Sequence, residues 1–321
     1  MNRRSALFSL AGVAAGVSVA QAEEARSITL IDDRGVSVTA PLAPKRLAVV
    51  SYVPVDIALA LGTKPVATTY MLQGRDPDYL LGLTKGMRQL GQRAKPSLEI
   101  LADVKPDVTM AVRRYTEGNA VRYAAIAPYL AYNVELFGDS DRTINQVASL
   151  LDKPEHGREL NAQFKRDLAD FAARVPKDKR IRFQIMWAGD NPYTFYSEHM
   201  AAAIVIALGG DNIAGSNPTP HMPEKFGFEI SLETMLAKDP EVIFVCDYGP
   251  DRPQENNPVW KMISAVKNRR GHYVGDHWAE VHGPIARQVV LREAAHLLYP
   301  DRFPKPNIRA EAEKLIPAEV R

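Results

Sequence analysis

One block of sequence occurs twice, and it limits the architectures open to this chain more than any other feature. Ser97-Leu98-Glu99 is followed, nine residues after the serine, by Pro106-Asp107-Val108, and Ser231-Leu232-Glu233 is followed at the same offset by Pro240-Glu241-Val242. Each copy reads as a serine-capped helix, a proline turn and then a buried strand. The glutamate lies in the first helical turn, where an acid complements the helix dipole, and that alone accounts for either copy taken singly. Two copies at matching spacing predict two lobes of similar construction, each presenting one carboxylate.

The remaining pattern agrees with an α/β fold. Residues 47–50, 65–69 and 107–112 read as strands, with a helix at 54–61 opened by Pro54 and closed by Gly62. The rhythm returns with strands at 181–187 and 241–246 and helices at 200–208, 257–266 and 284–298. Strands alternating with helices predict two Rossmann-like lobes with largely parallel sheets. Between them Leu160, Phe164, Leu168, Phe171 and Val175 recur at helical spacing until Pro176. A helix over residues 155–175 would run roughly 31 Å, long enough to hand the chain from one lobe to the other. The expected organisation is an N-terminal lobe at 23–140, a helical connector at 141–176 and a C-terminal lobe at 177–321.

Residues 1–22 read as an export signal. Arg3 and Arg4 precede an uncharged apolar run, and Ala20-Gln21-Ala22 has the small-x-small pattern of a cleavage point. The run is too short for a good membrane anchor. Its paired arginines fit either the Sec or the twin-arginine route, and the expected location is the periplasm. Removing this segment leaves 38 basic against 38 acidic residues. So even a balance gives no footprint for gripping nucleic acid. The single cysteine, Cys246, excludes a disulfide framework and ends the apolar run Val242-Ile243-Phe244-Val245, where it reads as a core thiol.

In the order and spacing of these pieces the chain resembles the periplasmic substrate-binding proteins of iron–siderophore, haem and cobalamin ABC importers. The likeness runs from Asp33-Arg34-Gly35 and Pro44-Lys45-Arg46-Leu47 through both Ser-Leu-Glu copies. It continues to Asn257-Pro258-Val259-Trp260 and Ala265-Val266-Lys267-Asn268. The resemblance implies the class III arrangement: two α/β lobes joined by a single long helix, a ligand in the cleft between them, and little hinge motion. It also implies that Glu99 and Glu233 dock onto arginines of an inner-membrane ABC importer permease, with the binding protein acting as a monomer. Within the family the likeness is nearest to the ferric-hydroxamate binders, through Val53-Pro54-Val55-Asp56 and Gly91-Gln92-Arg93-Ala94-Lys95-Pro96.

That likeness carries a ligand-binding role onto Arg93, Tyr115, Phe226 and Trp278. Tyr70, Trp187 and His221 are further candidates, placed as they are just after strands or in loops. An Fe(III)–siderophore fills the iron's coordination sphere itself, so the protein need supply no metal ligand and no intrinsic cofactor. It reads the organic shell, guanidinium donors meeting chelate oxygens and flat aromatic rings covering the linkers. Arg113-Arg114 would add positive charge for a catecholate or ferric citrate complex. A haem binder would use Tyr70 or Tyr115 as axial ligand. His272, His277 and His282, spaced by five, match no common metal-site pattern.

No phosphate loop, dinucleotide fingerprint or Gly-x-Ser-x-Gly elbow is present. The expected function is capture and delivery rather than catalysis. The reading from a different class is an exported hydrolase or lyase on the same two-lobed scaffold.

Overall fold

The computed structural model of the chain describes residues 26–222 and 225–321, so the expected export segment at 1–22 lies outside the described residues. A hairpin of β1 (Ser27–Ile31) and β2 (Ser37–Pro41) precedes the first sheet. That sheet comprises β3 (Leu47–Val50), β4 (Ala67–Tyr70), β5 (Arg88–Gln92), β6 (Val108–Val112) and β7 (Tyr129–Tyr132). Its order is β5-β4-β3-β6-β7, parallel throughout. The central strands β3 and β6 are buried at every residue, which is why they read as unbroken apolar runs rather than alternating ones.

The second sheet is built from β8 (Ile181–Trp187), β9 (Tyr193–Phe195), β10 (Gly210–Asn212), β11 (Gly227–Glu229), β12 (Val242–Cys246) and β13 (Gly271–Val274). Its path is β11-β9-β8-β12-β13, with β10 also on β8. Here β8, β10, β12 and β13 run parallel, while β9 and β11 add antiparallel pairs at one side. Cys246 closes β12 inside the core, and burial pushes its thiol up to about 12.

The sequence repeat is a structural repeat. Ser97 Oγ accepts the amide of Ile100 and Ser231 Oγ that of Thr234, capping the helices Leu98–Val104 and Leu232–Lys238. Both helices end on a left-handed residue, Lys105 at φ 48° and Asp239 at φ 44°. The likeness reaches further than the sequence suggested. Arg46, just before β3, donates Nε to the carbonyl of Lys105, and Arg182, at the start of β8, donates Nε to the carbonyl of Asp239. The acid after each proline closes the motif, Asp107 accepting the amide of Arg46 and Glu241 that of Arg182. Glu99 and Glu233 are both exposed at the first turns of their helices.

From β7 the chain enters two helices, Phe137–Leu150 and Pro154–Arg174, the second 21 residues long. They pack face to face: Gly157 lies so close to Ala148 that a Cβ would meet it. The helix Pro284–Leu298 then fastens both halves of the molecule together. Its first-turn amides, from Ile285 and Ala286, go to the Asp56 carboxyl at 2.8 Å each. Its buried Arg287 donates to Asp141 Oδ1 at 3.0 Å, Asn161 Oδ1 at 2.7 Å and the Leu160 carbonyl at 3.0 Å, with its guanidinium over the Phe164 ring.

One expected helix is different. Residues 257–266 form a 3-10 turn at Trp260–Met262 and a short helix at Ser264–Lys267, separated by an extended Ile263. The break follows from Asp239, whose carboxylate takes both the amide and the hydroxyl of Ser264 and so starts a new helix there.

Candidate functional site

The carboxyl ends of the two sheets bring arginines and aromatic rings together, the edge at which open α/β sheets hold ligands. Tyr70 ends β4, Arg93 follows β5, Arg114 and Tyr115 follow β6, Trp187 ends β8 and Tyr248 follows β12. Arg93 is buried, with its amide on the Tyr70 carbonyl at 3.0 Å and its Nη2 on the Tyr248 hydroxyl at 2.7 Å. Its Nη1 meets Glu280 Oε1. That carboxylate also accepts the Ser51 hydroxyl and the Val53 amide, so Glu280, from the second half, is inserted at the start of the first half's helix Tyr52–Ala60. Burial works against the charge of Arg93, but Glu280 and the Tyr115 and Tyr248 phenols outweigh it and hold the guanidinium protonated above its usual range.

Tyr115 meets two cations, with the guanidinium carbon of Arg93 at 5.2 Å from its ring centre and that of Arg114 at 4.7 Å. Arg114 also lies 5.2 Å over the Phe226 ring, reaching from the first sheet to the second. It pairs with Glu135, whose carboxyl is pushed up by burial and drawn back by Arg114. Trp187 stacks on Tyr193 at 5.2 Å and meets Phe226 and Tyr248 edge-on at 5.9 and 6.0 Å. Behind them His199 and His282 meet edge-on at 5.6 Å. Burial lowers both histidines, His282 to about 3, so the wall contains neutral imidazoles.

Of the residues expected at the site, Arg93, Tyr115, Trp187 and Phe226 share this surface, and Tyr70 joins it through its carbonyl, which accepts the Arg93 amide. Trp278 does not, and that expectation is corrected. It is 0% exposed, stacked on Phe244 at 4.6 Å, with Nε1 donating to Glu293 at 2.6 Å. A ring filled in on both faces and satisfied at its N–H has nothing to offer a ligand. His221 is exposed on the connection between β10 and β11, and among the described residues it makes none of the ring contacts that gather the others. The three histidines spaced by five part company: His277 bonds Glu293, His282 lies against His199, and His272 sits in β13. Among the described residues no three His, Cys, Asp or Glu side chains come together in an arrangement that would hold a metal ion.

Glu280, Tyr248 and Glu135 were missed. Arg114 carried one signal, its place directly after a strand beside Tyr115. Glu280 carried none, because its partners lie 187 and 229 residues away. Among the described residues no helix is long and apolar enough to cross a membrane.

A sequence model described as "Periplasmic binding protein" matches residues 47–275. The chain is 25% identical to the Bacillus subtilis protein named "Probable siderophore-binding lipoprotein YfiY", over 85% of this chain and 88% of that one. It is 23% identical to the Fe(3+) dicitrate-binding periplasmic protein FecB of Escherichia coli, over 84% and 90%. Among solved structures, the petrobactin-binding protein YclQ of Bacillus subtilis superposes with a TM-score of 0.71 at 19% identity, over 85% and 99%. That likeness places the fold with the class III binding proteins.

Proposed function

The chain belongs to the periplasmic binding protein family, and on that premise we propose that it captures a ferric siderophore in the periplasm, hydroxamate-type by preference, and delivers it to an inner-membrane ABC importer. The observation that supports this most is the Arg93–Tyr115–Arg114 array lying opposite Phe226, Trp187 and Tyr248 at the facing sheet edges. Guanidinium donors suit the oxygens of a preassembled chelate, and rigid rings cover its linkers with little loss of side-chain freedom. The iron-chelate ligands in the names of the relatives support the same ligand class.

Glu99 and Glu233 are the docking points in this reading. They project from equivalent helix starts on the two lobes, so a permease carrying two basic patches would be oriented by both. One exposed ion pair contributes little, and the pair of them sets register.

The test is titration of the mature protein with a ferric trihydroxamate. Expected are quenching of tryptophan fluorescence that saturates at one chelate per protein, and recovery of the chelate chemically unchanged. Conversion of the chelate would overturn binding in favour of an exported hydrolase or lyase. A Soret band in the purified protein would overturn siderophore in favour of haem.

A further inference from the structure

Every arginine at the junction of the two sheet edges already has a carboxylate partner. Arg93 is paired with Glu280, which is 1% exposed, and Arg114 with Glu135, which is 4% exposed. Arg75 repeats the pattern beside them, with Asp276 as its near partner and Asp247 Oδ2 at 3.7 Å. The other polar rings in the wall add no charge near neutral pH. His199 and His282 stay neutral, and burial pushes the Tyr193 phenol up to about 12 and that of Tyr248 higher still.

We infer that this site selects its chelate by net charge, accepting iron complexes close to neutral and turning away multiply anionic ones, with Glu280 and Glu135 as the residues that set the preference. The inference rests on the siderophore reading and narrows it to one chemical class.

Two contributions produce the selection. The first is repulsion: an anion brought against Arg93 or Arg114 also comes against a buried carboxylate, where screening by water is weak. The second is competition. A carboxylate on the ligand would have to displace Glu280, and the displaced carboxylate is held on its other oxygen by Ser51 and Val53. Leaving that carboxylate buried and unpaired is costly. A neutral trihydroxamate asks for less, since a guanidinium carries five N–H donors and can lend the spare ones to partly negative oxygens without breaking its ion pair. Specificity here comes from a built-in repulsive element as much as from attraction.

The experiment uses two synthetic chelators on one tripodal backbone, one carrying three hydroxamates and the other three catechols. Size and shape are then held nearly constant while the ferric complex changes from neutral to triply anionic. Both are titrated by fluorescence at low and high salt. Expected is tighter binding of the neutral complex, by about tenfold or more at low salt, with the difference shrinking as salt rises. Glu280→Gln and Glu135→Gln, each checked for folding by thermal unfolding, should each move the ratio toward the anionic complex by about tenfold. Equal or tighter binding of the anionic complex by the unaltered protein would overturn the inference and leave siderophore capture standing. Failure of both complexes to bind would overturn the siderophore reading and this inference with it.

Discussion

Asp56 and Gly283 share one space: the Asp56 carboxyl lies where any Cβ on Gly283 would have to go. The glycine has an ordinary φ of −77°, so its requirement is one of room and not of backbone conformation. That room lets the carboxyl reach the amides of Ile285 and Ala286 and cap the last long helix from the first half of the molecule. Together with Arg287 it makes the joint between the halves a packed, hydrogen-bonded core.

Gly283→Ala should therefore cost about 1–3 kcal/mol or more of stability, since the added methyl must push the carboxyl off its amides. Urea unfolding measures it. A loss below about 0.5 kcal/mol would show that the joint has slack the structure does not suggest.

The same carboxyl predicts a pH dependence. Burial raises Asp56 to about 7, against the pull of the two amides and Arg287. Between pH 4 and 7 the unfolded chain has already released this proton while the folded chain still holds it. Stability from this group is thus full in acid and falls as pH rises, by on the order of 4 kcal/mol across the window. In Asp56→Asn that fall is absent, so the stability difference between parent and variant should shrink from pH 4.5 to pH 7.5. A difference that widens with pH would mean the folded protein carries a charged Asp56.

How far this was legible follows from where each signal is written. The paired helices were readable because Ser97 and Ser231, Glu99 and Glu233, and Pro106 and Pro240 are local and repeated. The 3-10 turn at Trp260–Met262 was read as one helix with Ser264–Lys267, because its interruption is dictated by Asp239, 25 residues upstream. Trp278 was placed in the cleft by the family likeness, which does not reveal which way a ring faces. What turns it inward is Glu293, fifteen residues along on the helix expected at 284–298. Arg93 was found through its motif, but its carboxylate partner had no motif to be found by. Charge balance in the site is consequently the part that only the folded chain displays.

Arg93→Gln tests the site directly. It removes the donor held by Tyr248 and Glu280 and one of the two cations that meet Tyr115. Affinity for a ferric trihydroxamate should fall by about tenfold or more, the loss of a charge-assisted hydrogen bond. The variant also strands Glu280 without its cation, so Arg93→Gln/Glu280→Gln should recover stability but not affinity. Recovery of affinity in the double variant would assign Arg93 a purely structural role.

The last prediction concerns delivery. Glu99 and Glu233 are exposed, neither appears in an ion pair among the described residues, and the capping of their helices is carried by Ser97 and Ser231. Reversing both to lysine should therefore cost little stability, a few tenths of a kcal/mol each from the lost dipole interaction. If they orient the protein on its permease, the double reversal should abolish chelate-stimulated ATP hydrolysis by the importer in reconstituted membranes. Each single reversal should weaken it partially, because the remaining lobe still engages. Chelate affinity, read by tryptophan quenching, should be unchanged. Trp187 is the reporter suited to that measurement, being only partly buried among the site's aromatic rings while Trp260 and Trp278 are buried. Loss of chelate binding in the double reversal would place the two glutamates in the ligand site instead, and unimpaired stimulation of the importer would leave them with their helix-dipole interaction alone.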